Sequence, residues 1–204
     1  MNKIDTLQYY NNNAMEFVSG TEFADVSVLR EKFLNKIPAG GMILDWGSGS
    51  GRDTGAFLAA GYEVEAVDAC EELARYASNK TGIEVRVERF DELDAKNKYD
   101  GIWACASILH VERHELSYIF NLAYRALKEG GIMYTSFKYG EEDAVRRERH
   151  FSDMTEDSIK EVLSDTHFKI EEMWVTDDAR EDREGDRWLN LLLRKEKEMN
   201  SPPE

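Results

Sequence analysis

Apolar positions along this chain change period several times, and the changes mark out its elements. Between residues 5 and 18, Leu7, Tyr10, Ala14, Phe17 and Val18 recur at helical spacing; between residues 24 and 37, Val28, Leu29, Phe33 and Leu34 repeat the pattern. Pro38-Ala39-Gly40-Gly41 stops the second helix. Short apolar runs then alternate with amphipathic stretches. Residues 42–44, 62–67, 84–90, 99–106 and 132–137 read as strands. Residues 52–60, 71–80 and 113–128 read as helices, ended by Gly61, near Gly82 and by Gly130-Gly131. Thr155 reads as the N-cap of another helix. Residues 168–176 and 188–193 read as two last strands with no helix between them, hence an antiparallel edge hairpin. Strands alternating with helices predict an α/β fold, with a mainly parallel sheet covered on both faces.

The 204 residues suit a single domain, taken as 1–194, within which 1–38 form an N-terminal helical cap; 195–204 read as a charged, frayed tail. No apolar run approaches the roughly 20 residues a membrane span needs, and the N-terminus lacks a signal-peptide pattern. Cys70 and Cys105 sit in apolar or helical patterns, as reduced thiols of a cytoplasmic protein would. A formal net charge of −15 disfavours a nucleic-acid partner, since such binding depends on Lys and Arg neutralising phosphates. The one dense basic group is Arg146, Arg147, Arg149 and His150.

The candidate chemistry begins where the first strand runs into Asp45-Trp46-Gly47-Ser48-Gly49-Ser50-Gly51-Arg52-Asp53-Thr54. Glycines let the backbone approach a ligand closely, and the helix that follows offers free N–H groups to an anion. The spacing is not the G-x-G-x-x-G of a dinucleotide site: the third glycine comes one place early. Asp45, just before the loop, is poorly placed for a pyrophosphate and well placed for an ammonium or sulfonium. Both points disfavour a nicotinamide-dependent oxidoreductase.

The run Ile43-Leu44-Asp45-Trp46-Gly47-Ser48-Gly49-Ser50-Gly51 resembles the class I S-adenosylmethionine-dependent methyltransferases. So do Ala66-Val67-Asp68 closing the second strand, Phe90-Asp91-Glu92-Leu93 after the third, the fourth-strand segment ending Leu109-His110-Val111, and Leu127-Lys128-Glu129-Gly130-Gly131. The likeness is strong over about residues 40–137, and looks closest to small bacterial methyltransferases grouped with tellurite-resistance proteins. It implies a Rossmann-like, seven-stranded, mostly parallel sheet with an N-terminal helical lid. It also implies S-adenosylmethionine as cofactor, held by Asp45, Gly47, Ser48, Gly49, Arg52, Asp68, Ala69, Phe90, Asp91, Glu92 and Ala106. In the family the acid at the Asp68 position grips both ribose hydroxyls, and one near Asp91 receives the adenine amino group. Asp68 is also a candidate helix N-cap, Asp53 reads as a first-turn charge complementing the helix dipole, and Arg52 could reach Asp45 or the cofactor carboxylate.

The acceptor leaves a fainter trace. His110, just past the fourth strand, is a candidate base or orienting group, with a structural hydrogen bond as the competing role; Tyr10 is a candidate catalytic lid residue. His110 and His114 share a helical spacing that could hold zinc, but no third ligand of suitable spacing accompanies them, so no metal is expected. Arg146, Arg147 and Arg149, or Arg180 and Arg183 in the loop between the last two strands, are candidates for an anionic acceptor. Ser107-Ile108-Leu109 stands where exocyclic-amine methyltransferases of nucleic acids resemble Pro-Pro-aromatic, neither cysteine follows a proline, and residues 106–111 hold no carboxylate cluster. These absences favour methylation of a small molecule at O, N or S by a monomer or homodimer. The alternatives are a protein that binds S-adenosylmethionine or S-adenosylhomocysteine without turnover, and a protein or RNA methyltransferase acting through a docking partner.

Overall fold

A computed structural model describes residues 6–180 and 183–196. Its central sheet has seven strands: β1 (Met42–Trp46), β2 (Glu63–Asp68), β3 (Val85–Val87), β4 (Tyr99–Ala104), β5 (Leu127–Lys138), β8 (Lys169–Asp177) and β9 (Arg187–Arg194). Their spatial order is β3-β2-β1-β4-β5-β9-β8. The first five are parallel, and β9 runs antiparallel between β5 and β8. The expected sheet and its C-terminal hairpin are therefore present. Strand order reverses between β1 and β4, and a crevice opens beyond their carboxyl ends.

Helices α3 (Arg52–Ala59), α4 (Glu71–Thr81), α5 (Leu116–Ala126) and α6 (Glu156–Ser164) make the crossovers and cover the sheet. On α5, Leu116, Ile119, Phe120 and Ala123 are buried, and so is Leu127, which the apolar spacing also assigns to this helix but which opens β5. Thr155 caps α6 as expected, its hydroxyl accepting from the Ser158 N–H. On the other face Phe33, Phe57, Trp103 and Tyr134 are fully buried, with Trp103 stacked on Tyr134 at 4.1 Å between centroids.

The cap consists of α1 (Thr6–Thr21) and α2 (Ser27–Leu34). Ala14 and Val18 of α1 bury against Cys70 and Leu73 of the α4 region, which lays α1 across the carboxyl end of the sheet. Two features depart from the sequence reading. A second sheet, the hairpin β6 (Ala144–Arg146) and β7 (Arg149–Phe151), stands over the same end. Lys195, assigned to the tail, is buried: its Nζ donates to Asn97 Oδ1 at 2.8 Å and to the Leu127 carbonyl at 2.9 Å. Residues 1–5 and 197–204, and with them the start of the cap and most of the tail, lie outside the described residues. Among the described residues no helix is long and apolar enough to cross a membrane.

Candidate active site

The loop after β1 is built to come close to something. Gly47 and Gly49 adopt φ of +86° and +55°, the left-handed region that favours glycine. A Cβ on Gly47 would stand 2.5 Å from Ser107 Cβ, and one on Gly49 3.1 Å from the Phe17 ring of α1. The glycines thus let β1, the segment after β4 and the cap converge. Between them the Ser48 hydroxyl is buried without a hydrogen-bond partner among the described residues. Ala106, after β4, holds a φ of +52° while its N–H donates to Ser136 Oγ at 2.9 Å.

A cavity of about 250 Å³ opens at this junction. Asp45, Gly47, Ser48, Gly49, Arg52, Ala106, His110 and Tyr10 all line it, so the structure gathers eight of the predicted site residues. Asp45 is buried and accepts from Thr54 Oγ1 at 2.5 Å. Burial, then repulsion from Asp53, pushes its carboxyl up to about 7. Among the described residues no cation pairs with it directly, although the Arg52 charge lowers it, and a cationic ligand would supply a pair.

Asp68 ends β2 with each carboxylate oxygen fixed by the backbone. Oδ2 accepts from the Gly49 N–H and Oδ1 from the Cys70 N–H, both at 2.8 Å. It is not the N-cap of α4; Cys70 holds that position. Each oxygen keeps lone-pair capacity that no other donor among the described residues takes. Asp68→Ala is expected to weaken S-adenosylhomocysteine binding by about 2 kcal/mol or more, measured by calorimetry. Asp68→Asn separates the charge from the loop clamp, and unchanged affinity in both would remove Asp68 from the site.

Asp68 and the remaining predicted cofactor residues, Ala69, Phe90, Asp91 and Glu92, do not line the cavity. Phe90 packs edge-on against Trp46 at 5.3 Å, near Gly47. Ala69 adjoins Asp68 in the turn into α4. Asp91 is half exposed and paired with Arg89, while Glu92 accepts the Arg89 N–H at 2.7 Å. Arg52 does not hydrogen-bond Asp45. Its guanidinium pairs with Asp53 and donates to the Thr21 and Ala24 carbonyls, which straps the turn between α1 and α2 to the start of α3. Asp53 does stand in the first turn of α3, as read, but it is also buried and accepts from Arg30 and Trp103.

Tyr10 and His110 meet directly. His110 Nδ1 lies 2.7 Å from the His150 carbonyl, which can only accept, so Nδ1 carries the proton. Nε2 is then the acceptor for Tyr10 Oη–H at 2.8 Å. Desolvation lowers the His110 imidazole to about 4, and Arg149 pushes the same way. Arg149 Nη1 donates to Tyr10 Oη at 3.1 Å. Arg149, on the hairpin missed from the sequence, completes the group.

His110 and His114 do not form a metal pair, because His114 is exposed and both His110 nitrogens are engaged. Among the described residues, Glu112, Asp143 and His150 instead bring potential ligand atoms within 4.8 Å of one another. Arg113 holds Asp143, and His150 Nε2 lies 3.0 Å from Ser152 Oγ, so both already have partners. The loop between β8 and β9 adds Arg180 and Arg183 to the cavity wall.

A parallel sheet reversing order between β1 and β4, closed by an antiparallel hairpin, with a glycine loop and acid at the switch point, defines a Rossmann-like methyltransferase fold. Residues 43–131 match the methyltransferase domain family. That match, together with the methyltransferase relative below, supports the class I, S-adenosylmethionine-dependent likeness read from the sequence. An uncharacterized methyltransferase of Staphylococcus carnosus is 23% identical over 170 residues, covering 74% of this chain and 82% of that protein. Among solved structures, the Burkholderia thailandensis 1,6-didemethyltoxoflavin N1-methyltransferase, with its substrate and S-adenosylhomocysteine bound, superposes with a TM-score of 0.71 at 21% identity, over 97% of this chain and 93% of that one. The [4+2]-cyclase SpnF superposes with a TM-score of 0.73 at 16% identity, over 93% and 95%. These matches give no support to the finer likeness to the tellurite-resistance group.

Proposed function

We propose that the chain is an S-adenosylmethionine-dependent methyltransferase acting on a small molecule at an O, N or S atom. The observation that carries this reading is the cavity, which begins at the glycine loop and ends at Tyr10 and His110 beneath the cap and hairpin. The residues fit the cofactor. Among the described residues Asp45 is a buried carboxyl with no ion-pair partner, Ser48 a buried hydroxyl with no hydrogen-bond partner, and Asp68 a carboxylate pre-oriented by two N–H groups. When bound, S-adenosylmethionine supplies an electrophilic methyl group on a sulfonium centre.

The protein's own work is alignment, exclusion of water and removal of the acceptor's proton. Tyr10 Oη donates to His110 Nε2 and accepts from Arg149, which leaves one lone pair for the acceptor. Were a bound sulfonium to give its methyl group to the acceptor's heteroatom, the methyl–sulfur bond breaking and the neutral thioether leaving, the acceptor's proton would pass to Tyr10 Oη and the tyrosyl proton to His110 Nε2. His110 is neutral at physiological pH and so able to receive it.

A second reading keeps the cofactor without methyl transfer. The specific observation in its favour is that a protein of the same fold is named a cyclase.

Titration with S-adenosylhomocysteine beside NAD and NADP tests the cofactor assignment. Micromolar binding of S-adenosylhomocysteine alone is expected; binding of the nicotinamides alone would sink the proposal. The pH dependence is a sharper check on Asp45. Its folded value is raised, so at low pH the native state holds it neutral and a cationic ligand must expel that proton. Affinity should therefore climb with pH, by up to about tenfold per unit below pH 7, and level off above it. Unliganded stability from this group runs the other way, increasing as pH falls through about 7. Asp45→Asn should flatten both trends, by calorimetry and by thermal unfolding.

A further inference from the structure

We propose that Arg149 is an anchor for an oxyanion group, a carboxylate or phosphate, carried by the acceptor; this rests on the methyltransferase reading above. Burial and charge compensation in the cavity wall together single the residue out, since Arg147 also forms no ion pair among the described residues but is exposed. Lys138 pairs with Asp178 at 2.9 Å and Asp186 at 2.8 Å. Arg146 Nη1 reaches Asp153 Oδ1 at 2.7 Å, Arg180 pairs with Asp178 at 2.7 Å, and Arg52 with Asp53 at 2.7 Å. Arg149 has no carboxylate within ion-pair distance among the described residues, in a chain whose net charge is −15.

Its hydrogen bonding is equally incomplete. One Nη1 donor serves Tyr10, and Nε is buried with no partner among the described residues. The guanidinium lies over the rings of Tyr9 at 4.7 Å, Phe151 at 5.2 Å and Tyr10 at 5.5 Å. Those faces offset part of the cost of withdrawing the cation from water, but they accept no N–H in the fork geometry that suits two anionic oxygens. The side chain is thus held among rings with most of its donors unspent, one hydrogen bond away from the proposed proton acceptor.

An anion there would also serve the chemistry. The Arg149 charge is one of the influences that keep His110 hard to protonate. Neutralising that charge on binding would make the Tyr10–His110 pair a better proton acceptor when, and only when, the correct acceptor is in place.

The test titrates the protein, with and without S-adenosylhomocysteine, against benzoate, phenyl phosphate and the neutral isostere benzamide. At least one anion should bind about tenfold or more tightly than benzamide, and which anion does so distinguishes carboxylate from phosphate. Arg149→Gln should abolish the preference. Arg149→Lys should keep part of it, and Arg75→Gln, an exposed charge on α4, should leave it intact; thermal unfolding verifies that each variant is folded. Equal binding of benzamide and both anions, or an anion preference that survives in Arg149→Gln, overturns the proposal. Failure of S-adenosylhomocysteine to bind is read separately and bears on the cofactor assignment, because the anion preference is measured in both states.

Discussion

Asp53→Ala is expected to destabilise the protein by about 3–5 kcal/mol, the range for breaking a buried, hydrogen-bonded ion pair from one side. The carboxylate stands between two guanidiniums, with Arg30 at 2.7 Å and Arg52 at 2.7 Å and 3.0 Å, and it also accepts from Trp103 Nε1 at 2.9 Å. Removing it leaves two partly buried cations and a buried indole N–H without an acceptor, and water cannot fully replace it beneath α2. For a chain of this length the loss corresponds to a melting temperature lower by on the order of 10 °C. Burial would raise this carboxyl, but the two arginines and the indole hold it below the usual carboxylate range. Its contribution is therefore present at neutral pH and is lost as pH falls through that depressed value. Asp53→Asn keeps an acceptor for Trp103 and should fall between wild type and Asp53→Ala. Urea unfolding measures all three, and a loss below about 1 kcal/mol for Asp53→Ala would contradict the assignment. Because Arg52 also holds the turn between α1 and α2, the same change should loosen the cap and weaken cofactor binding.

Asp53 also shows where sequence reading reached its limit. The glycine loop and Asp45 stood out because the short apolar run of β1 leads directly into them, whereas attention to Asp68 came from the family resemblance. Local pattern then sufficed to set them at one end of a parallel sheet. The role of Asp53 was not legible, because Arg30 and Trp103 lie 23 and 50 positions away and meet it only through packing. Its place in the first turn of α3 suggested a charge serving the helix dipole and nothing more. The β6–β7 hairpin was hidden for a different reason. Its turn residues, Arg147 and Glu148, take φ of +49° and +62°, where a readable hairpin carries Asn or Gly. The basic cluster was visible as composition, but not as the element that brings Arg149 to Tyr10. Lys195 was read as tail because nothing local reveals that its ammonium returns to the Leu127 carbonyl.

Tyr10→Phe is expected to lower kcat about 100- to 1000-fold while leaving S-adenosylhomocysteine affinity within about twofold, the span assigned to loss of a positioned proton acceptor. The substitution removes one oxygen atom and keeps the ring that packs on Phe17 at 5.1 Å and His110 at 5.5 Å. Stability should change by about 1 kcal/mol or less, the worth of a partly buried hydrogen bond. His110→Ala should cost a similar factor, and the double variant little more than either alone, since the two groups act as one unit. The pH profile separates this role from a structural one. His110 is neutral above about pH 4, so kcat at saturating cofactor should show no limb near 6.5, the ordinary imidazole value. Asp45 should shape only the KM for S-adenosylmethionine, because saturation by a cation holds it ionised. If Tyr10→Phe instead raised KM and lowered the melting temperature with kcat intact, the hydroxyl would be a strut between α1, His110 and Arg149. The proton would then have to leave by another route, and His110, with Nδ1 committed to the His150 carbonyl, could offer only Nε2 for it.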